Sequence, residues 1–372
     1  MRLSVIIVSY KVPHYLQLCL ESVTRSLTGI DSEIIVVDNA SEDDTLAMVK
    51  TAFPQVKCIA NTRNVGFSKA NNQGVALASG EYVCILNPDT MVSQSCFQEV
   101  LAFAENKENL GAVGVRLIDG TGNFLPESKR NLTTPKVSVQ KLLGNSKSYY
   151  ANNLDEAETG KVAILVGAFM FLKKQVYDEV GGFDELFFMY GEDIDLSYAI
   201  TQKGYDNYYL GTTSVLHFKG ESTVKDREYA RRFYGAMRLF ARKHFHNSKL
   251  IDLFLNFVTK SISYTYDKAK PVKKSNAGFA KQFWVSDASS LPEALKGKAA
   301  VLKWSELTDC YTVKWMSTRF IFDLQGSSTS QIIEIMQGLK NRQNTFRIRP
   351  SNCNFSCGSD SAAGRGEVEK WV

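Results

Sequence analysis

The chain has no glycine before Gly29, and the turn after its first apolar segment is SYKVPHY. A dinucleotide-binding turn or a phosphate loop would place glycines at this point, so that backbone amides could approach phosphate. Hydride transfer and P-loop chemistry are therefore disfavoured. Sugar-phosphate nucleotidyl transfer is disfavoured for the same reason, because it would also require a glycine-rich loop here.

Long apolar runs and paired cysteines are missing as well. No apolar run approaches the roughly 20 residues that span a bilayer, and the start, MRLSVIIVSYKVP, has too short an apolar stretch for a signal peptide. The seven cysteines are odd in number, and the close pair Cys353 and Cys357 lacks a second pair or a nearby histidine to complete a zinc site. We therefore expect a cytoplasmic protein with reduced thiols.

The first 90 residues alternate β-branched runs with segments of helical period. Strands are predicted at 4–8, 33–37, 56–59 and 82–86, and helices at 14–27 and 68–78. Such alternation predicts a parallel sheet with crossover helices, which is an α/β fold. The length of 372 residues is enough for one large domain and a small one.

Each of these predicted strands ends in polar residues. The four ends are Ser9-Tyr10, Asp38-Asn39, Asn61 to Asn64, and Asn87-Pro88-Asp89. In an open α/β sheet the carboxyl ends of the strands line one crevice, where ligands bind. A single polar strand end would be an ordinary loop, but four in succession predict a ligand site.

Asp89 offers a way to neutralise an anionic ligand without glycines. A carboxylate at a strand end can hold Mg²⁺ or Mn²⁺, and the metal then bridges diphosphate oxygens. The alternative is that Asp89 only closes a turn after Pro88.

A second acidic group, Glu192, Asp193 and Asp195, follows Gly191 at the start of a segment with helical period. Acids at a helix N-terminus commonly only complement the helix dipole. Asp193 lies on the inward stripe with Leu196, whereas Asp195 points roughly 200° round the helix from Asp193. We therefore expect only Asp193 to face the interior, and a buried carboxylate is costly unless it serves chemistry. Asp193 is the predicted general base, and Glu192 is the alternate.

Six segments occur in order along the chain: VVDNASEDDT, NVGFSKANNQG, LNPDT, VGAFMFLKK, GGFDELFFMYGEDIDLSYAI and VLHFKGEST. Together they resemble the family 2 glycosyltransferases of the GT-A fold, closest to the bacterial rhamnosyltransferase-like branch. The resemblance covers about residues 1–245. It implies a doubly wound nucleotide-sugar-binding sheet and an inverting transfer from a nucleotide diphosphate donor, with dTDP-L-rhamnose favoured over a UDP-sugar.

The resemblance also implies roles for individual residues. Ser9 and Asp38 would contact the base and ribose, Asn64, Gly66 and Asn71 would shape the donor pocket, Asp89 would hold Mg²⁺ or Mn²⁺, and Asp193 would be the base. Tyr10, Asn39 and Asn87 join them as donor-binding candidates because they lie at the same strand ends. The implied acceptor is a hydroxyl of a saccharide or of a polyprenyl-linked substrate in cell-surface polysaccharide synthesis.

His217, in SVLHFKGES, follows a short predicted strand. The resemblance makes it a second metal ligand or a diphosphate contact, and imidazole ligates Mn²⁺ acceptably. A lone histidine at a strand end is more often structural, so both interpretations stay open. Many relatives have Asp-X-Asp where this chain has Asn87-Pro88-Asp89, so its hold on the metal would depend on the phosphates of the nucleotide.

Two other functional classes remain open. A catalytically silent nucleotide-sugar-binding or scaffold protein would be expected to lack Asp89 or the acidic group, and both are present. A nucleotidyltransferase would release pyrophosphate from a nucleoside triphosphate and a sugar phosphate, so its substrates would distinguish it.

The composition changes at DKAKPVKKSNAGF, a Lys-rich stretch with Pro and Gly. We predict a GT-A domain at 1–268, whose last part, 225–268, is a basic aromatic helical extension, then a linker at 269–278 and a small α/β accessory domain at 279–372. In the accessory domain strands are predicted at 281–287, 299–307, 318–324 and 345–350, with a helix at 328–343. The segment CGSDSAAGRG, 357–366, predicts a solvated loop, with a phosphate-binding loop as the alternative.

Residues 225–274 contain thirteen Lys and Arg against four acids. Aromatic and aliphatic residues interleave with them at amphipathic-helix spacing, as in YARRFYGAMRLFARKHF. One interpretation is a packed helix with a solvated basic face, and another is peripheral docking on anionic lipid at the inner face of the cell membrane. Nucleic-acid binding is disfavoured, because the site residues indicate sugar chemistry.

Overall fold

The computed structural model describes residues 1–142, 144–218, 227–245, 278–287, 290–307, 315–360 and 366–371. Two β-sheets organise these residues, one of nine strands in the N-terminal domain and one of six strands in the C-terminal domain. The predicted α/β fold class, with a second and smaller α/β domain, is confirmed.

The strands of the N-terminal domain are β1 Leu3–Ser9, β2 Ser32–Asp38, β3 Lys57–Ala60, β4 Tyr82–Leu86, β5 Thr90–Val92, β6 Leu110–Ile118, β7 Gly160–Lys161, β8 Phe169–Lys173 and β9 Asp206–His217. Its helices are α1 Pro13–Ser26, α2 Thr45–Ala52, α3 Phe67–Ala76, α4 Cys96–Glu105, α5 Pro135–Leu142, α6 Lys174–Glu179, α7 Glu192–Gln202 and α8 Arg227–His244. A 3₁₀ turn, Pro126–Ser128, precedes α5.

The first sheet has the order β3-β2-β1-β4-β8-β6-β9-β5, and β7 pairs with β9. The first four strands are parallel and lie within about two residues of the predicted ranges. Three of them are short apolar runs buried by helices on both faces, which is the pattern of parallel strands. Cores on the two faces are built around α1 and α4 and around α3, α6 and α7.

The rest of the sheet is mixed. Strand β8 runs antiparallel to both β4 and β6, and β9 runs parallel to β6. Strands β1, β2, β4, β6 and β9 therefore all end at one side of the sheet. We call this side the carboxyl rim, defined by Ser9, Asp38, Leu86, Ile118 and His217.

The C-terminal domain consists of β10 Lys281–Val285, β11 Ala300–Leu302, β12 Thr318–Asp323, α9 Thr329–Gly338, β13 Thr345–Arg349, β14 Phe355–Ser359 and β15 Glu367–Lys370, with 3₁₀ turns at Glu293–Leu295 and Trp304–Glu306. The sheet order is β11-β10-β12-β13-β14-β15. The first four strands are parallel, and the last two are antiparallel.

Three expectations about this domain need correction. The predicted strand at 299–307 stops at Leu302, where a 3₁₀ turn begins shortly afterwards, and the predicted helix ends at Gly338 rather than at 343. Residues 357–359 belong to the buried strand β14 instead of a solvated loop. Residues 361–365 of that segment, and 269–277 of the predicted linker, lie outside the described residues.

The predicted basic extension begins with α8, which packs on the N-terminal domain. Ala236 and Phe240 are buried against Phe187, and Tyr198 lies beside the same cluster. The packed-helix interpretation is therefore confirmed for 227–244, while residues 246–268 lie outside the described ranges. None of the described helices is long and apolar enough to span a bilayer.

A further apolar cluster joins the two domains, and we call it the shared core. The N-terminal domain contributes Tyr15, Met91, Leu216 and Phe218, and the C-terminal domain contributes, among others, Phe322, Ile332 and Met336. All of these side chains are buried. The C-terminal domain is thus packed against α1, β5 and β9 rather than tethered at a distance.

Candidate active site

The strand ends that the sequence predicted to meet do meet at the carboxyl rim. Ser9 lies opposite Asp38 in the β1–β2 pairing, and Leu86 at the end of β4 pairs with Ile7. Ser9 Oγ and Asp38 Oδ1 are buried and have no hydrogen-bond partner among the described residues. Because buried polar atoms are rarely left unpaired, these two atoms are available to water or to a polar ligand.

The loop after β3 is held by side-chain amides. Asn39 Nδ2 donates to Asn64 Oδ1 at 2.9 Å, and Asn39 Oδ1 accepts from the Val65 amide at 3.0 Å. Gly66, at φ +89°, lies so close to Phe188 that a Cβ would come within 2.6 Å of the Phe188 carbonyl oxygen. Asn39, Asn64 and Gly66 therefore fix the loop between β3 and α3.

Two other predicted donor-site residues also lie at this end of the sheet. Asn71 is fully buried in α3, where Nδ2 donates to the Phe67 carbonyl and Oδ1 has no partner among the described residues. Tyr10 follows Ser9 and is partly exposed, with Lys11 Nζ 5.2 Å from its ring centroid.

Asp89 and His217 face each other across the β5–β9 pairing. Asp89 Oδ1 lies 3.3 Å from His217 Nε2, and both side chains are buried. Thr90 pairs directly with His217, and the Phe218 amide donates to the Asp89 carbonyl, so the backbone fixes this approach. Asn87 Nδ2 lies 3.4 Å from the same His217 nitrogen.

No group of three or more His, Cys, Asp or Glu able to hold a metal occurs among the described residues. Asp89 and His217 nevertheless offer a carboxylate and an imidazole, and His217 Nδ1 is buried without a partner in the described part of the chain. Two protein ligands fit a divalent cation only if phosphate oxygens and water complete its coordination. Such dependence on the phosphates of the nucleotide is what the sequence predicts, because Asn87 stands where many relatives have a second aspartate.

The acidic group lies in the first turn of α7 and is buried. Asp193 Oδ2 accepts from the Gly167 amide at 3.2 Å and from Arg130 Nη2 at 2.6 Å. The guanidinium of Arg130 is buried and also donates to the Leu165 carbonyl and the Tyr149 hydroxyl. Burial opposes the charge of Arg130, but the Asp193 carboxylate and Tyr149 outweigh it and raise the pKa of Arg130.

Arg130 is a site residue that the sequence did not reveal. It precedes Asp193 by 63 positions. Arg130 lies outside the named strands, and its backbone forms isolated β-bridges with Tyr150 and Ile164. No local pattern identifies such a residue, because its partner is set by tertiary structure alone.

The expectation that only Asp193 of the two aspartates would face the interior is wrong. Asp195 is also buried, and it accepts from Lys243 at 2.9 Å and lies 2.7 Å from His244 Nε2. Asp193 and Asp195 do point in different directions, toward Arg130 and toward Lys243. Both are buried because α7 is covered on two sides, by the sheet and by α8.

Glu192, the alternate base, is buried next to Asp193. Burial, reinforced by the neighbouring Asp193 carboxylate, raises the pKa of Glu192 to about 8 from an ordinary value of 4.5. Its Oε2 atom has no partner in the described ranges. Glu192 is therefore mostly protonated at neutral pH.

This shift predicts a pH-dependent stability. The folded state holds the Glu192 proton more tightly than the unfolded state, so the stabilisation is full below about pH 4.5 and is lost as the pH rises through about 8. Glu192→Gln should therefore raise the melting temperature, relative to wild type, more at pH 8.5 than at pH 5. Differential scanning calorimetry at both pH values measures this.

The exposed Glu108→Gln is the control for this prediction, and its difference from wild type should not change with pH in the same way. An equal effect of Glu192→Gln at both pH values would contradict the assigned shift.

The two sides of the site are joined by a short series of contacts. The Asn87 amide donates to the Ala168 carbonyl at 3.0 Å, and the adjacent Gly167 amide donates to Asp193. Asn87 in turn approaches His217 and, through it, Asp89. Asp89 and His217 are therefore connected to Asp193 through Asn87 and residues 167–168, and the crevice expected at the carboxyl rim would lie between these two groups.

Residues 4–181 match the sequence model of glycosyl transferase family 2. The chain carries a family 2 glycosyltransferase domain. An N-acetylglucosaminyl-diphospho-decaprenol L-rhamnosyltransferase of Mycobacterium tuberculosis is 26% identical over 242 residues, which cover 60% of this chain and 78% of that protein. The low-salt glycan biosynthesis hexosyltransferase Agl10 of Haloferax volcanii is 25% identical over 58% of this chain and 65% of its own length.

Among solved structures, S. aureus TarS superposes with a TM-score of 0.46 and 19% identity. The superposition covers 65% of this chain and 39% of TarS. The predicted resemblance to family 2 glycosyltransferases is thus confirmed at the level of sequence, and a rhamnosyltransferase is among the similar proteins. The candidate residues at the carboxyl rim, except those after residue 181, lie within the matched part of this glycosyltransferase domain.

Proposed function

We propose that this glycosyltransferase moves a sugar from a nucleotide diphosphate donor to a hydroxyl of a saccharide or lipid-linked acceptor, with inversion at the anomeric carbon. The observation that supports this most is the series of contacts that links two groups at the carboxyl rim. One group is the pair Asp89 and His217, and the other is a buried acid, Asp193, that is held by Arg130. A leaving diphosphate and an attacking hydroxyl need these two kinds of group on opposite sides of C1.

In the proposed reaction the acceptor oxygen attacks C1 of the sugar while its proton passes to Asp193. The new C1–oxygen bond forms as the bond from C1 to the diphosphate oxygen breaks, and both electrons of that bond leave with the diphosphate. A single displacement inverts C1, and no carboxylate nucleophile is required.

Each side of the crevice has its own part in this proposal. Asp89 and His217 would hold Mg²⁺ or Mn²⁺, which when bound stabilises the charge on the diphosphate. Ser9 and Asp38 would contact the nucleoside, since each has a buried polar atom without a partner among the described residues. Arg130 orients the Asp193 carboxylate through the 2.6 Å contact.

The donor class follows from the relatives. One relative is named as an L-rhamnosyltransferase that acts on a diphospho-decaprenol substrate. We therefore propose dTDP-rhamnose as donor, with a UDP-sugar second, and a saccharide or polyprenyl-linked acceptor. A thermal-shift panel of nucleotide sugars with and without Mn²⁺ tests this, because a specific ligand raises the melting temperature by mass action.

In that panel dTDP-rhamnose with Mn²⁺ should give the largest shift. A larger shift in melting temperature with another nucleotide sugar would mean that this other nucleotide sugar is the donor. The proposed reaction class would be wrong if no nucleotide sugar shifted the melting temperature and the protein released pyrophosphate from a nucleoside triphosphate and a sugar phosphate. The protein would then be a nucleotidyltransferase.

The outer face of α8 suggests peripheral contact with anionic lipid. Arg227, Arg231 and Arg242 are exposed there, at helical spacing. Lys243 and Arg232 are left unchanged in the test because they help to hold α8 on the domain: Lys243 contacts Asp184 and Asp195, and the Arg232 guanidinium lies over the Phe188 ring. The surface set is chosen by exposure, and Arg231 in it lies 4.0 Å from Glu228 on the same helix. Each basic residue near an anionic surface adds about 1 kcal/mol of attraction.

Reversing Arg227, Arg231 and Arg242 to Glu should weaken co-sedimentation with phosphatidylserine liposomes at low salt by tenfold or more. A matched control reverses three exposed lysines elsewhere, Lys50, Lys147 and Lys298, and should lose much less. If the two triple variants lost the same fraction of liposome binding, the attraction would depend on net charge alone. If the wild-type protein did not bind liposomes, α8 would be only a packed helix.

A further inference from the structure

The shared core lies directly behind the Asp89 and His217 side of the crevice. Along β9, Leu216 and Phe218 enter the shared core, and His217 lies between them. Along β5, Met91 pairs with Leu216, whereas Thr90 pairs with His217. Neighbouring residues of a strand point to opposite faces, so Met91, Leu216 and Phe218 pack on the C-terminal domain, whereas Thr90 and His217 lie on the other face of this strand pair.

Polar contacts fix the same boundary. Arg25 on α1 donates to the carbonyls of Ser327 and Leu324 at 2.9 and 2.6 Å. Ser351 donates to Glu21 on α1 from both its amide and its hydroxyl, at 2.8 and 2.6 Å. Helix α1 begins four residues after Ser9, so the C-terminal domain also anchors the element that follows the first strand end.

After β5, at the end of the strand away from His217, the Gln94 amide donates to Ser330 Oγ at 3.0 Å. The Tyr15 hydroxyl donates to the Gly358 carbonyl at 3.3 Å, and the Tyr15 ring packs on Phe218 with 5.1 Å between the centroids. The backbone next to both candidate metal ligands is thus bonded to, or packed on, the second domain.

The turn after β6 shows how closely the domains approach. A Cβ on Gly120 would lie 2.7 Å from Ser359 Cβ, and one on Gly122 would lie 2.2 Å from the Met336 carbonyl oxygen. No side chain fits at either position unless the C-terminal domain moves away. Gly122 also has φ +85°.

We infer that the C-terminal domain is a positioning element of the candidate metal side: it sets the separation of Asp89 and His217 by holding β5 and β9 through the shared core. The inference rests on the proposed function of these two residues. Phe218, Met91 and Met336 act through this packing and do not touch the ligand.

The test measures the affinity of dTDP and UDP by calorimetry on the full chain, with Mn²⁺ and in EDTA. Gly122→Ala and Met336→Ala should weaken the Mn²⁺-dependent binding by about tenfold or more. Binding in EDTA should stay within about twofold of wild type, because Ser9 and Asp38 lie on strands that the shared core does not include.

Two matched controls separate this effect from loss of stability. Gly29→Ala imposes a similar backbone strain, at φ +81°, with nothing within 4 Å of the added Cβ. Leu295→Ala removes a buried side chain from a different cluster that contains only residues of the C-terminal domain. Both controls should lower the melting temperature and leave the Mn²⁺-dependent affinity within about twofold.

If Gly122→Ala and Met336→Ala keep wild-type Mn²⁺ dependence although their melting temperatures fall, the second domain is only packed there, and the inference is overturned. A separate arm, Asp89→Ala against Asp43→Ala, addresses the proposed function. If Asp89→Ala, like Asp43→Ala, leaves the Mn²⁺-dependent affinity unchanged, the metal site itself is wrong, and the positioning role falls with it.

Discussion

Replacing Asp193 with Asn should lower kcat by roughly 10² or more, the range for loss of a general base. The amide keeps the shape of the side chain, and its oxygen can still accept from the Gly167 amide, but it cannot take the acceptor proton. The affinity for nucleoside diphosphate should stay close to wild type, because Asp89 and His217 lie on the other side of the crevice. Single-turnover kinetics on a folded variant measure the loss.

Asp195→Asn is the matched control. Asp195 lies on the same helical turn, is similarly buried and also contacts cations, but it faces α8 instead of the crevice. It should lose stability without a comparable loss of kcat. Equal losses from both variants would mean that Asp193 acts only in folding.

Glu192→Gln distinguishes the alternate base. If Glu192 accepted the proton, this variant would lose turnover and Asp193→Asn would not. Wild-type kcat would also rise through about pH 8, because Glu192 must first lose its own proton. A rate that has reached its plateau well below pH 8 would favour Asp193.

Replacing Arg130 with Met should cost about 3–5 kcal/mol of unfolding free energy. The side-chain volume is largely retained, but the Asp193 carboxylate is left buried without its cation. Urea denaturation monitored by circular dichroism measures this, with the slope compared between variants.

The double variant Arg130→Met, Asp193→Asn supplies the decisive comparison. It removes both charges, so it should be more stable than Arg130→Met alone, although it still loses the contacts to Leu165 and Tyr149. If the double variant is less stable than Arg130→Met by the full cost of Asp193→Asn, the two side chains are not coupled.

The sequence predicted well which polar residues reach the carboxyl rim, because their placement depends on local strand ends. Strands β1, β2 and β4 are short apolar runs, and the polar residue after each run is the residue that reaches the carboxyl rim. Asp38 and Asp89 follow from this rule without any knowledge of tertiary contacts. The rule works because parallel strands place their ends together.

The surroundings of Asp193 depend on packing between distant segments, and there the sequence was insufficient. Arg130 reaches Asp193 across the fold, and α8 covers Asp195 from a helix more than thirty residues further on. A helical projection of α7 treats one side as interior, whereas this helix has two buried sides. Strand β14 was not predicted for a different reason. Its Ser and Gly residues have a low propensity for strands, but pairing with β13 and β15 outweighs that preference.

The place of β5 has a consequence for how the chain folds. It is the last strand on one edge of the first sheet, only three residues long, and α9 lies against it. During synthesis the N-terminal domain emerges from the ribosome before the C-terminal segment that covers this edge. A nascent chain therefore exposes Met91, Leu216 and Phe218 beside unpaired backbone groups. Until the last strands emerge, this edge is the place where two nascent chains can pair wrongly, and a chaperone that binds apolar edges would protect it during synthesis.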